Sequence, residues 1–121
     1  MKKITVKEQY ELFKATLDYC GTYLLDCNDD DVEYNIFEEF DGDSISYLSE
    51  LVLNSLLSAK YISEEIRSMA LKLANDFRQL DGTILWNVKA VRSSQEWLAV
   101  LSLADEIKKK LKSFEASKRK S

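Results

Sequence analysis

The residues in this sequence best suited to chemistry are carboxylates. Between Asp26 and Asp43, nine of the eighteen positions are Asp or Glu and none is Lys or Arg. Such a cluster can hold a cation, supply an acid–base pair, or present a negative field to a basic partner. The calcium reading is the most specific. An EF-hand loop takes Asp or Asn at its first, third and fifth positions, Gly at the sixth and a bidentate Glu at the twelfth. Counted from Asp26, the residues Asp26, Asn28 and Asp30 fit. Asp31 then stands where the Gly turn is needed, Phe37 stands where the Glu is needed, and Glu38 comes one residue late. The match fails at both discriminating positions. Glu38 and Glu39 could form a pair of the kind glycosidases use, but neighbours on a helix point about 100° apart, and crowded carboxylates are usually just solvated.

Other chemistry lacks its reagents. The chain has no His, which removes the commonest general base and the commonest metal ligand. It has no Gly-rich phosphate loop and no nucleophile elbow. Cys20 and Cys27 are too few for a disulfide framework and have no His with which to bind zinc. On one helix they would lie about 10 Å apart along the axis, too far to bridge, so two reduced thiols are expected. No enzyme activity, metal or cofactor is expected.

Binding readings remain. The formal net charge of −4 is unevenly spread: residues 1–50 carry −9 and residues 51–121 carry +5. Seven bases fall between Lys108 and Lys120, a basic end that could touch phosphates. With the net charge negative and no basic recognition helix evident, direct nucleic-acid binding is not expected. The acidic stretch is the stronger candidate. Asp29, Asp30, Asp31, Glu33, Glu38, Glu39, Asp41 and Asp43 form a concentrated field, with Tyr34, Phe37 and Phe40 interleaved. The field would speed encounter with a basic protein, and Tyr34 and Phe40 would anchor the contact.

The elements that must position these residues read as helices. There is no Pro and only three Gly, and 45% of the residues are hydrophobic. Val6, Tyr10, Phe13, Leu17, Cys20 and Leu24 make one helical stripe, opened by a Thr5/Glu8 capping box. Gly21 within it marks a close approach or an early end. A short acidic helix is expected near 32–40, followed by a turn at Asp41-Gly42-Asp43. A second long helix begins at Ser44, and Leu48, Leu51, Val52, Leu53, Leu56 and Leu57 cover most of its circumference, which predicts the central, most buried element. Ser63 with Glu64 and Glu65 opens a third, which Asp81-Gly82 ends. Residues 84–88 read as either a short helix or an apolar loop. Ser93 and Glu96 form a capping box for a final helix through Phe114, with Lys108, Lys109, Lys110 and Lys112 in its last turns. The expectation is all-α: one domain over residues 1–115, a compact bundle of four longer helices plus one or two short ones, and a frayed basic tail over 116–121. Neither a signal-peptide h-region nor a membrane span is evident, so a cytoplasmic protein is expected.

The stretches Ser44–Arg67 and Val91–Ile107 carry a pattern of helix starts and apolar positions that resembles small bacterial immunity proteins of contact-dependent growth inhibition systems, over roughly residues 44–112. The resemblance implies a cytoplasmic protein that binds and neutralises a cognate toxin domain, often a nuclease. It assigns no residues, because immunity surfaces differ with each toxin; the acidic segment is chosen from charge alone. The rival reading is a helical interaction or regulatory module, dimeric through a leucine-rich face in one version.

Overall fold

The computed structural model describes residues 4–119. Helix α1 (Val6–Asp18) opens as the capping box requires: Thr5 Oγ1 accepts from the Glu8 amide at 3.1 Å, and the Thr5 amide donates to Glu8 Oε1 at 3.0 Å. The helix stops at Asp18, six residues short of Leu24. At Gly21 the backbone passes so close to the last helix that a Cβ would lie 2.7 Å from Asp105 Oδ1 and 2.8 Å from Lys108 Nζ. The chain leaves the α-helix before that crossing and continues as a 3₁₀ turn over Thr22–Asp26. Cys20 and Leu24 are nevertheless buried, so the apolar spacing is real while its helix is not continuous.

Asn28 caps the next element, accepting from the Asp31 amide at 2.8 Å. One helical run follows in three parts: α2 (Asp29–Val32), a π-helical stretch (Glu33–Phe40) and α3 (Asp41–Tyr47). The expected turn at Asp41-Gly42-Asp43 is therefore helix. Arg78 holds the backbone there, donating to the Asp41 carbonyl at 3.1 Å and to Ser44 Oγ at 3.3 Å. The π stretch has a physical reason in the sequence. Val32, Ile36, Phe40, Ser44 and Leu48 are four residues apart, and all are buried. In an α-helix each step of four overshoots a turn by ~40°, so the five would wind around the helix. The wider i→i+5 turn undershoots and keeps the stripe facing the core.

Helix α4 (Glu50–Ser58) starts at the Ser49 cap. It buries Val52, Leu53 and Leu56 but leaves Leu51 79% exposed, so it is a one-sided outer helix and not the centre. It ends with Lys60 in the left-handed region (φ 67°), where the Tyr61 amide bonds back to the Leu56 carbonyl at 2.9 Å. Glycine occupies such a position without the Cβ clash. Lys60→Gly is expected to stabilise the fold by about 1 kcal/mol, read from the urea midpoint; a loss of stability would contradict the assignment.

The centre is built by α5 (Glu64–Leu80) and α7 (Gln95–Arg119), the most extensively packed helix pair. Helix α5 starts at Ser63, whose Oγ accepts from the Ile66 amide at 3.1 Å. It ends at Asp81, with Gly82 at φ 80°. Residues 84–87 are irregular, and Trp86 packs half-buried against Phe37, Phe77 and Trp97. Short α6 (Val88–Ser93) follows the Asn87 cap. The cap of α7 is Ser94, one residue after the expected Ser93: Ser94 Oγ accepts from the Trp97 amide at 3.1 Å, while Ser93 Oγ donates to the Lys89 carbonyl. Helix α7 continues through 116–119, within the stretch expected to fray; residues 120–121 lie outside the described residues. The fold is all-α, with no strand among the described residues.

Candidate protein-interaction site

The α2–π–α3 run carries every carboxylate of the candidate set. Its buried edge faces the core through Val32, Ile36 and Phe40, so the charges fall on what remains. Asp29, Asp30, Asp31, Glu33, Tyr34 and Glu38 are exposed; Glu39, Asp41 and Asp43 are half-buried. Tyr34 is 49% exposed in the middle of the acidic face. Phe40 does not belong to this surface. It is fully buried, with its ring edge-on to Phe77 at 4.7 Å, because its position falls on the inward stripe.

Two of the acids serve the fold. Asp29 Oδ1 accepts from Arg92 Nε at 2.9 Å, and the same guanidinium donates to the Cys27 carbonyl at 2.6 Å, tying α6 to the start of the run. Asp41 Oδ1 accepts from Arg78 Nη1 at 2.7 Å, tying α5 to its far half. Among the described residues, no Lys or Arg lies within ion-pair range of Asp30, Asp31, Glu33, Glu38, Glu39 or Asp43. These six keep their field.

That field is felt locally. The charge of Glu39 is the largest cause raising the Tyr34 hydroxyl above its ordinary pKa. Tyr19, at the end of α1, is raised first by desolvation and then by Glu39 and Asp43, which brings a residue absent from the sequence reading into the site. Asp43 is itself raised above its ordinary 3.8, by burial first and then by Glu39. A carboxyl raised on folding binds its proton more tightly in the native state, so its contribution to stability falls as pH rises from 3.8 through the native pKa, and the loss persists at neutral pH. Asp43→Asn is therefore expected to raise the urea midpoint at pH 7 relative to the parent chain, with the difference shrinking at pH 3.5. A gain that is equal at both pH values would refute that origin.

No group of three or more Cys, Asp or Glu among the described residues could hold a metal ion. Asn28, from the calcium-like spacing, is occupied as a helix cap. Both cysteines are free thiols; burial pushes Cys20 up to about 12. Among the described residues, no helix is long and apolar enough to cross a membrane. Fold and site together define an all-α domain with an acidic, aromatic-bearing helical ridge. No protein-family model, curated protein or solved structure matches this chain.

Proposed function

We propose that this chain is an immunity protein: it binds a cognate toxin domain with a basic surface, such as a nuclease, and neutralises it by stoichiometric occlusion. The observation that carries the reading is the set of six carboxylates with no Lys or Arg in ion-pair range among the described residues, on the same helical run as the exposed ring of Tyr34, whose hydroxyl feels Glu39 and Glu38. Uncompensated charge of one sign costs a fold through self-repulsion and earns its place through a partner of the opposite sign. The carboxylates stand in for the phosphates that a nuclease cleft expects. Tyr34 supplies the apolar contact that charge lacks, while Asp29 and Asp41 hold the ridge in place through Arg92 and Arg78.

The partner is identified from the gene immediately upstream, where a large secreted protein with a variable C-terminus is expected. Replacing Asp30, Asp31, Glu38 and Glu39 together with Lys is expected to weaken binding of that C-terminal domain at least tenfold at low salt, and by less at high salt. Unchanged affinity would overturn the reading. The rival, a helical interaction or regulatory module, draws support from Ile45 and Leu51, exposed apolar side chains on α3 and α4. It predicts self-association in light scattering that Leu51→Glu removes.

A further inference from the structure

The basic half of α7 takes no part in the acidic ridge, yet it forms one wall of a groove of about 750 Å³ between α1 and α7. The groove is pinned at both ends. At one end Tyr10 Oη donates to Glu115 Oε2 at 2.5 Å, and Lys14 Nζ lies 3.6 Å from the same carboxylate. At the other, Lys108 Nζ donates to the Cys20 carbonyl at 2.7 Å, and Thr22 Oγ1 donates to Asp105 Oδ2 at 2.5 Å. Between the pins the lining includes Leu111, 5% exposed, and the fully buried Leu17, and the α1 wall drops to the methyl group of Ala15. Pinned helices with a small residue between them leave a space of the size that small-molecule sites occupy.

The wall charges decide what fits. Lys14 and Lys108 already have carboxylate partners, at 3.6 Å to Glu115 and 3.7 Å to Asp105. Lys109 and Lys112, also in the lining, have no carboxylate within ion-pair range among the described residues. They are three residues apart on one helix, so their ammonium groups can converge on one anion. Asp18 and Glu11 on the α1 wall disfavour a second negative charge. We propose that this groove binds a small, singly charged anionic amphiphile, a medium-chain carboxylate whose head sits between Lys109 and Lys112 and whose alkyl chain lies over Ala15, Leu111 and the methylene stems of the lining lysines.

The test titrates the full chain with sodium decanoate below its micellar range, followed by calorimetry and by amide chemical shifts, beside decan-1-ol and sodium acetate. The expected result is saturable one-to-one binding of decanoate, with shifts confined to α1 and α7. Lys109→Glu with Lys112→Glu should weaken binding at least tenfold. Ala15→Trp, at an exposed position, should block it while leaving the thermal midpoint within a few degrees. Failure of decanoate to saturate, equal affinity for decan-1-ol or acetate, or binding untouched by either variant would overturn the proposal.

Discussion

Trp97→Ala is expected to cost about 3–5 kcal/mol, the range for truncating a large buried aromatic. Trp97 is fully buried, and its ring lies 5.7 Å from both Phe37 and Phe77 and 5.9 Å from Trp86. Its Nε1 also donates to the Leu85 carbonyl at 2.6 Å, which fixes the irregular 84–87 segment to α7. Truncation thus opens a cavity at the meeting point of the π stretch, α5 and α7, and releases the loop. Against a typical total of about 5–15 kcal/mol this is a large share. Urea unfolding followed by far-ultraviolet circular dichroism measures it, and a cost below about 1 kcal/mol would mean that Trp97 is not the centre of the core.

The second large effect separates two aromatics that stand six residues apart in one acidic segment. Phe40→Ala is expected to cost about 3–5 kcal/mol, because the side chain is fully buried against Phe77. Tyr34→Ala, at a position 49% exposed, should shift stability by only about 0.5 kcal/mol. If Tyr34 serves binding, its truncation should weaken the proposed complex with a basic partner while the unfolding curve stays put. The reverse pattern would mean that the ridge is turned the other way.

These two residues show what sequence reading reaches. Charge density and alternation with aromatics located the ridge, but both aromatics looked alike as anchors. Only the phase of the helix separates them, and the phase is set by the π stretch that a spacing of four imposes. The local signals were legible at Thr5 with Glu8 and at Ser63, where one side chain and one nearby amide decide the outcome, but not at Ser49, whose cap starts α4 and breaks the long helix expected from Ser44. Ser93 and Ser94 are both competent caps, and tertiary packing chose between them. Gly21 and Gly42 look equivalent in sequence. Gly21 is set by its crossing with Asp105 and Lys108, while Gly42 stays helical beside an Asp41 held by Arg78, 37 residues away. The anchoring of Asp29 by Arg92 spans 63 residues and is equally invisible to local pattern.

The bond between Tyr10 and Glu115 joins residues 105 apart in the chain. During synthesis α1 emerges from the ribosome 105 residues ahead of its closing partner. At about 5–20 residues per second, the Tyr10 hydroxyl waits on the order of 5–20 s for Glu115, while α3 and α4, which pack on the same helix, arrive earlier. For that interval α1 has only its earlier partners, among them α3, α4 and the Tyr61 ring, and the Tyr10 hydroxyl is without its acceptor. The contact that closes α1 onto α7 is therefore the last of these to become available, after α1 has met α3 and α4.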